Sequence, residues 1–429
     1  MLLADLSRAL RDHGTAGLHQ RIEGRSLTRG AMDETIRKQI EANEIGAISL
    51  DTQAFDAKQL ALETGLLRRV AQFGDSDVTV LLPDVIAAEV EAHLRQAATE
   101  AQGKLKRAMR LMEHAQLLTM VDDATPATKL LEQVAEPAAA TEVAARRLAG
   151  WIERTGAVVL HAGEHVTLDE VMRRYFDATP PFAASGPKKH EFPDAVALLT
   201  LERWAEKQQR KVLVVSNDPD WVRYCATSPG LVVVRELADA LGAFQGETAR
   251  YACRWVCESL ALGGPTHVRD PLRLEAALLD ALRMYSERIE FEIEADSQFY
   301  FQEDTVEPDF EDVELPDPEE AEELFEAVDY GQGYVVIQVE GKARASVASY
   351  FKFQRYDPTD GDYMPMGHGS VVTDERIWFR ALVTLTGDIP ARMAIGDVEI
   401  LPAGHRMELG TIEPDWLSDP DNFDAGDPA

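Results

Sequence analysis

The chain has 429 residues, more than one ordinary hydrophobic core holds, and its 45% hydrophobic and 28% charged content is that of a globular protein. No apolar run is long enough to span a membrane as a helix, and the formal net charge of −32 argues against a simple nucleic-acid binder that works by neutralising phosphates. Three cysteines, Cys225, Cys253 and Cys257, cannot close a disulfide framework and suit a reducing cytoplasm.

The opening Met1-Leu2-Leu3-Ala4-Asp5 is broken at once by acidic and polar residues, unlike a signal peptide. Residues 1–43 read as a polar helical extension with Arg8, Arg11, Arg21, Arg25, Arg29, Arg37 and Lys38 scattered through it. Such a segment is either a solvated helix packed on the first domain or an arm that touches nucleic acid.

Five short apolar runs follow: Ile45 to Leu50, ending at Asp51; Thr79 to Leu82, stopped by Pro83; Ala157 to Leu160; Val212 to Val215, ending in Ser216-Asn217-Asp218; and Leu231 to Val234. Most are continuous rather than alternating, the pattern of strands buried on both faces of a parallel sheet. Helical stretches separate them. Pro83-Asp84 opens a helix carrying Glu89, and Ala-rich 135–145 with Pro137 joins two helices of an insert at about 90–150. Thr167-Leu168-Asp169-Glu170 has the spacing of a capping box, and Val196, Leu199, Leu201 and Trp204 keep helical rhythm after Asp194. Residues 44–245 are therefore expected to form an α/β domain of α/β/α type around a parallel sheet.

Residues 246–286 read as a helical connector. Cys253 and Cys257 sit four apart on one helix face, and without a second pair they read as small buried hydrophobes rather than half a zinc site. After that the period changes to two. Ile289, Phe291 and Ile293 alternate with Glu; Val335, Ile337 and Val339 repeat the alternation, as do Ile377, Phe379, Ala381 and Val383, and Val398 to Ile400 adds a short strand. Residues 287–412 are thus expected to be an acidic, mainly antiparallel β domain, followed by an acidic tail at 413–429. From Ile289 to Tyr330 there are eighteen acidic residues and no Lys or Arg, so much of the negative charge is segregated there. Within that stretch, 303–329 is expected to be a long loop, a short acidic helix around Glu319 to Phe325, or both.

In an open parallel sheet, ligands bind beyond the carboxyl ends of the strands. Asp51 follows the first strand and Asp218 the fourth, with Asp220 two residues on. Glu89 lies one to two turns into its helix, and Asp194 opens another after Phe192-Pro193. Singly, each is an ordinary cap, turn or surface carboxylate. Together they would repel unless a cation is bound, and hard oxygen ligands suit Mg²⁺ or Mn²⁺.

The ordered segments Asp51-Thr52, Leu82-Pro83-Asp84-Val85-Ile86-Ala87-Ala88-Glu89, Glu191-Phe192-Pro193-Asp194-Ala195 and Val214-Val215-Ser216-Asn217-Asp218-Pro219-Asp220-Trp221 resemble the PIN domain superfamily of metal-dependent nucleases. The resemblance covers about residues 45–245. It implies metal-binding roles for Asp51, Glu89, Asp194 and Asp218, help from Asp220 and Asn217, and carboxylate orientation by Thr52 and Ser216. It also implies Mg²⁺ or Mn²⁺, phosphodiester hydrolysis, most often of RNA, and a central parallel sheet. Gln53 departs from the Asn or small residue of many relatives, and the insert after Glu89 is long.

Lys188 and Lys189, just before the Asp194 motif, are expected to bind substrate, with Arg173 and Arg174 as further candidates. Lys104, Lys106, Arg107 and Arg110 form either a basic face or an ordinary solvated one. A phosphatase with an aspartyl nucleophile fits less well, because Gln53 stands where the second Asp belongs. A non-catalytic PIN-like module docking a basic protein partner through its acidic β region is the alternative. In a combined form, the segment from Glu303 to Asp329 mimics nucleic acid and occludes the groove. A toxin or phage-defence role fits such an architecture. RNA against DNA, endo- against exonucleolytic cutting and oligomeric state stay open.

Overall fold

Aliphatic and β-branched runs bounded by Pro, Gly or polar residues build the first sheet. The computed structural model describes residues 34–74, 76–117, 125–182, 191–260, 272–357, 362–390 and 392–418. The chain divides into two units, Met1–Gln245 and Gly246–Ala429. No helix among the described residues is long and apolar enough to cross a membrane.

In the first unit, strands β1 (Ile45–Leu50), β2 (Thr79–Pro83), β3 (Val158–Leu160), β4 (Lys211–Val215) and β5 (Leu231–Val234) form one sheet in the order β3-β2-β1-β4-β5. All pairs are parallel. Every residue of β1 is buried, as its unbroken apolar run requires of a strand covered on both faces. Strand order reverses at the β1/β4 seam, where a doubly wound sheet opens a crevice. Leu50 pairs with Val215 there, so Asp51 and Ser216 leave the sheet side by side.

Helices α1 (Thr52–Asp56) and α2 (Gly65–Arg69) follow β1, and α3 (Asp84–His114) follows β2. Pro83 takes the N-cap of α3, with Asp84 in the first turn. The insert continues through α4 (Thr125–Val134) and α5 (Pro137–Thr155), which ends at left-handed Gly156. Helices α6 (Leu168–Asp177), α7 (Phe192–Gln208), α8 (Pro219–Cys225) and α9 (Leu237–Ala243) complete the unit. Half of the capping box forms: the Thr167 hydroxyl accepts from the Glu170 N–H at 3.4 Å, while the Glu170 carboxylate accepts from Arg203.

The insert holds the first turn of the site in place. Trp151 on α5 is 1% exposed, meets Phe55 of α1 edge-on at 5.2 Å, and donates Nε1–H to the Leu67 carbonyl at 3.0 Å. Arg147, one turn earlier, bonds both Glu63 oxygens and the Leu60 carbonyl.

The second unit starts with α10 (Glu247–Leu260) and α11 (Leu274–Met284). Their buried faces, Cys253 and Cys257 included, share one core with the strands that follow. Strands β7 (Tyr300–Glu314), β9 (Tyr334–Asp357), β10 (Asp362–Asp388) and β11 (Arg392–Ile400) form an antiparallel sheet in the order β11-β10-β9-β7, and β8 (Glu326–Gly331) also pairs with β9. A separate parallel pair joins β6 (Ile289–Asp296) and β12 (Ala403–Thr411).

Two expectations for this unit need correction, and one strand had no signal. The stretch 300–314 is a strand, not a loop; the acidic helix beyond it is α12 (Pro318–Leu324). Its inner residues Phe310 and Val313 are buried, and outer acids meet cations across the sheet, Asp304 with Lys352 and Asp312 with Arg344. Irregular register at Glu303/Thr305 and Phe310/Asp312 breaks the two-residue period in sequence. β9 is not half-buried where Val335 to Val339 alternate: Val336 and Gln338 are buried too. β12 gave no alternation signal because glycines and charges interrupt it.

Trp151→Ala removes a buried ring and orphans the Leu67 carbonyl. It is expected to cost about 3–5 kcal/mol, read as a lower midpoint in denaturant unfolding.

Candidate active site

The site is assembled where β1 and β4 end. The Asp51 N–H continues the ladder to the Val215 carbonyl at 3.1 Å, and its side chain then caps α1, accepting from the Ala54 N–H at 2.6 Å. The second carboxylate oxygen accepts from the Ser216 hydroxyl. Asp51 is therefore both the helix cap its position suggests and part of a larger group. It is 2% exposed. Burial pushes its carboxyl up to about 7; the Ser216 and Ala54 bonds pull the other way, and the charges of Asp218 and Asp194 add to the rise.

Ser216 also accepts from the Asp218 N–H at 3.1 Å, so one hydroxyl ties the two strand-end aspartates together. Asp218 caps α8 by accepting from the Asp220 N–H at 2.6 Å. Thr52 donates to Glu89 at 2.7 Å, which anchors the α3 carboxylate beside α1. Asp194, in the first turn of α7, accepts from Trp221 Nε1 at 2.8 Å. Burial lifts its carboxyl to about 6; the Trp221 bond opposes this, and Asp218, Glu89 and Glu191 add repulsion.

Asp51 therefore feels the charge of Asp218 and Asp194, and Asp194 that of Asp218 and Glu89, while Ser216 and Thr52 hold Asp51 and Glu89 by hydrogen bonds. Asp220 is instead ion-paired to Arg223. Asn217 is exposed and makes no side-chain bond to a described residue. Lys188 and Lys189 lie outside the described residues. Arg174 lies 3.7 Å from Glu202 and 4.9 Å from the centre of the Tyr224 ring, and Arg173 is exposed. Trp221 and Glu191 were not expected to act. The aromatic that ends the Ser216–Trp221 motif was the one available signal for Trp221.

Among the described residues, no three His, Cys, Asp or Glu side chains are placed to hold a metal ion as they stand. The donor chemistry still suits a hard divalent cation. Asp51 is buried and Glu89, Asp194 and Asp218 are half-buried, and a hard divalent cation bound among carboxylates can keep waters as its further ligands.

A family model described as PIN domain matches residues 48–221, less than half of the chain, and no family matches the second unit. No curated protein and no solved structure matches the chain. The match spans Asp51, Glu89, Asp194 and Asp218, ends at Trp221, and supports a nuclease-like fold for that part of the chain.

The raised Asp51 carboxyl has a signed consequence. Between pH 3.8 and about 7 the folded protein keeps a proton that the unfolded chain has lost. Stability therefore falls as pH rises through that window and stays low above it. In metal-free buffer at pH 8, Asp51→Asn is expected to raise stability by up to about 4 kcal/mol, with the gain vanishing towards pH 4. Thermal melts of both proteins across pH 4–8 check this; a destabilised variant at pH 8 contradicts it.

Proposed function

We propose that the PIN domain at residues 48–221 hydrolyses phosphodiester bonds of nucleic acid, RNA above all, with Mg²⁺ or Mn²⁺ held by Asp51, Glu89, Asp194 and Asp218. The observation that carries this is the gathering of those carboxylates beyond the ends of β1 and β4, where burial first and the charges of neighbouring carboxylates second push Asp51 up to about 7 and Asp194 to about 6. A bound cation would offset both the lost solvation and the repulsion between these groups.

The bound ion would supply Lewis acidity and a water acidic enough to attack at neutral pH. The chain's own groups do the positioning. Ser216 and the Ala54 N–H fix both Asp51 oxygens, Thr52 fixes Glu89, and Trp221 fixes Asp194. Each anchored carboxylate oxygen keeps a lone pair free for the ion or its waters. The buried setting of Asp51 and Asp194 strengthens their interaction with any cation and with the charge that develops on a phosphate. We assign the choice of substrate or partner to the acidic β-rich unit and place the protein in the cytoplasm.

One observation favours a second reading. Eighteen acidic residues and no Lys or Arg between Ile289 and Tyr330 suit the docking of a basic protein, with the PIN domain as a binding module.

With Mn²⁺ present, the full chain is expected to cleave RNA. Asp194→Asn should lower kcat/KM at least about 100-fold with the fold intact by circular dichroism. Ser216→Ala, which frees one Asp51 oxygen, should cost about 10- to 100-fold. A wild-type chain that cleaves neither RNA nor DNA removes the nuclease reading and leaves the docking one.

A further inference from the structure

Helix α6 ends beside the first turn of α7, the turn that carries Asp194. Four aromatic rings make the junction. Tyr175 meets Phe182 at 5.5 Å and Phe192 at 5.1 Å, and Phe182 meets Phe192 at 5.1 Å. Phe182 is buried and anchors the group. Phe176 adds a fourth ring, edge-on to Tyr175 at 5.4 Å, yet it is 74% exposed. Phe192 is joined through Pro193 to Asp194, so a line of rings runs from solvent to the carboxylate group. Arg173 lies three residues before Phe176, on the same helix face. It is exposed and makes no ion pair with a described residue, whereas neighbouring Arg174 is held by Glu202 and the Pro180 carbonyl.

A single exposed phenylalanine is ordinary on a protein surface. This one touches the packed Tyr175 ring, is mostly exposed, and shares its helix face with Arg173, which pairs with no described residue; Tyr175 in turn packs on Phe192, two residues before Asp194. The first unit, Met1–Gln245, carries 35 Asp and Glu against 29 Lys and Arg, so it has no net positive charge to hold a nucleic acid by bulk attraction and a further force is needed. Stacking of a base on an aromatic face is such a force, and it is open only to unpaired bases.

We infer that Phe176 is a stacking platform for an unpaired nucleobase, with Arg173 taking an adjacent phosphate of the strand delivered to Asp194. This rests on the nuclease reading above and adds two substrate contacts to it. Duplexes, whose bases are already stacked, bypass the platform.

The test uses the full chain and a short single-stranded oligoribonucleotide carrying 2-aminopurine, whose fluorescence is quenched on stacking. In an Asp51→Asn background, to prevent cleavage, the probe should be quenched on binding. Quenching should disappear with Phe176→Ala and return with Phe176→Trp. In the otherwise wild-type chain, Phe176→Ala should raise KM for the single strand about tenfold and leave kcat unchanged. Arg173→Ala should lower the salt slope of binding by about one. If Phe176→Ala leaves quenching and KM at wild-type values while Asp51→Asn still abolishes cleavage, the platform is wrong and the nuclease reading stands. If the wild-type chain neither quenches the probe nor cuts any strand, the nuclease reading falls and takes the platform with it.

Discussion

The hydrogen bond from the Ser216 hydroxyl to the Asp51 carboxylate spans the seam between β1 and β4, and the site depends on it. Both residues are buried where the two strands end. Their adjacency follows from the parallel register that sets Leu50 against Val215. The same hydroxyl accepts the Asp218 N–H, so one side chain fixes the spacing of two acids. Glu89 and Asp194 are brought in from α3 and α7 by Thr52 and Trp221. The cost of gathering these carboxylates is visible in Asp51 and Asp194, whose proton affinities rise because water has been removed from around them.

Charge is handled differently in the two units. In the first, acids converge on one crevice. In the second, they line strand β7 and are partly offset by cations across the sheet: Lys352 opposite Asp304, Arg344 against Asp312 and Glu314. These pairs are half-exposed and each contributes little to stability, but together they keep a long acidic edge strand paired to β9. The net charge of −32 is thus no measure of the first unit, which carries 35 Asp and Glu against 29 Lys and Arg.

The five strands of the first sheet were legible because strands buried on both faces must be continuously apolar, and Ile45–Leu50 is the plainest case. Asp51 and Asp218 were legible for a related reason: each is the first carboxylate beyond such a run. The partners were not. Trp221 bonding Asp194, and Ser216 serving two aspartates at once, depend on helix docking and strand register, which local pattern does not encode. Arg174 looked like a substrate contact beside Arg173. Only the fold shows that one helical position turns it towards Glu202 while its neighbour faces water. Strand β7 was hidden because two irregularities shift its inward residues out of phase, and β12 because Gly404 and Gly410 break its rhythm.

The central claim is that a cation neutralises this coupled group of carboxylates, and proton release on binding tests it most directly. Near pH 6.5, Asp51 at about 7 and Asp194 at about 6 are both partly protonated. Mn²⁺ calorimetry in two buffers of different ionisation heat should show about one proton released per site at that pH, and far less at pH 8.5. Asp51→Asn should abolish most of the release. Binding without release, or release unchanged by Asp51→Asn, would contradict a metal site built on these residues.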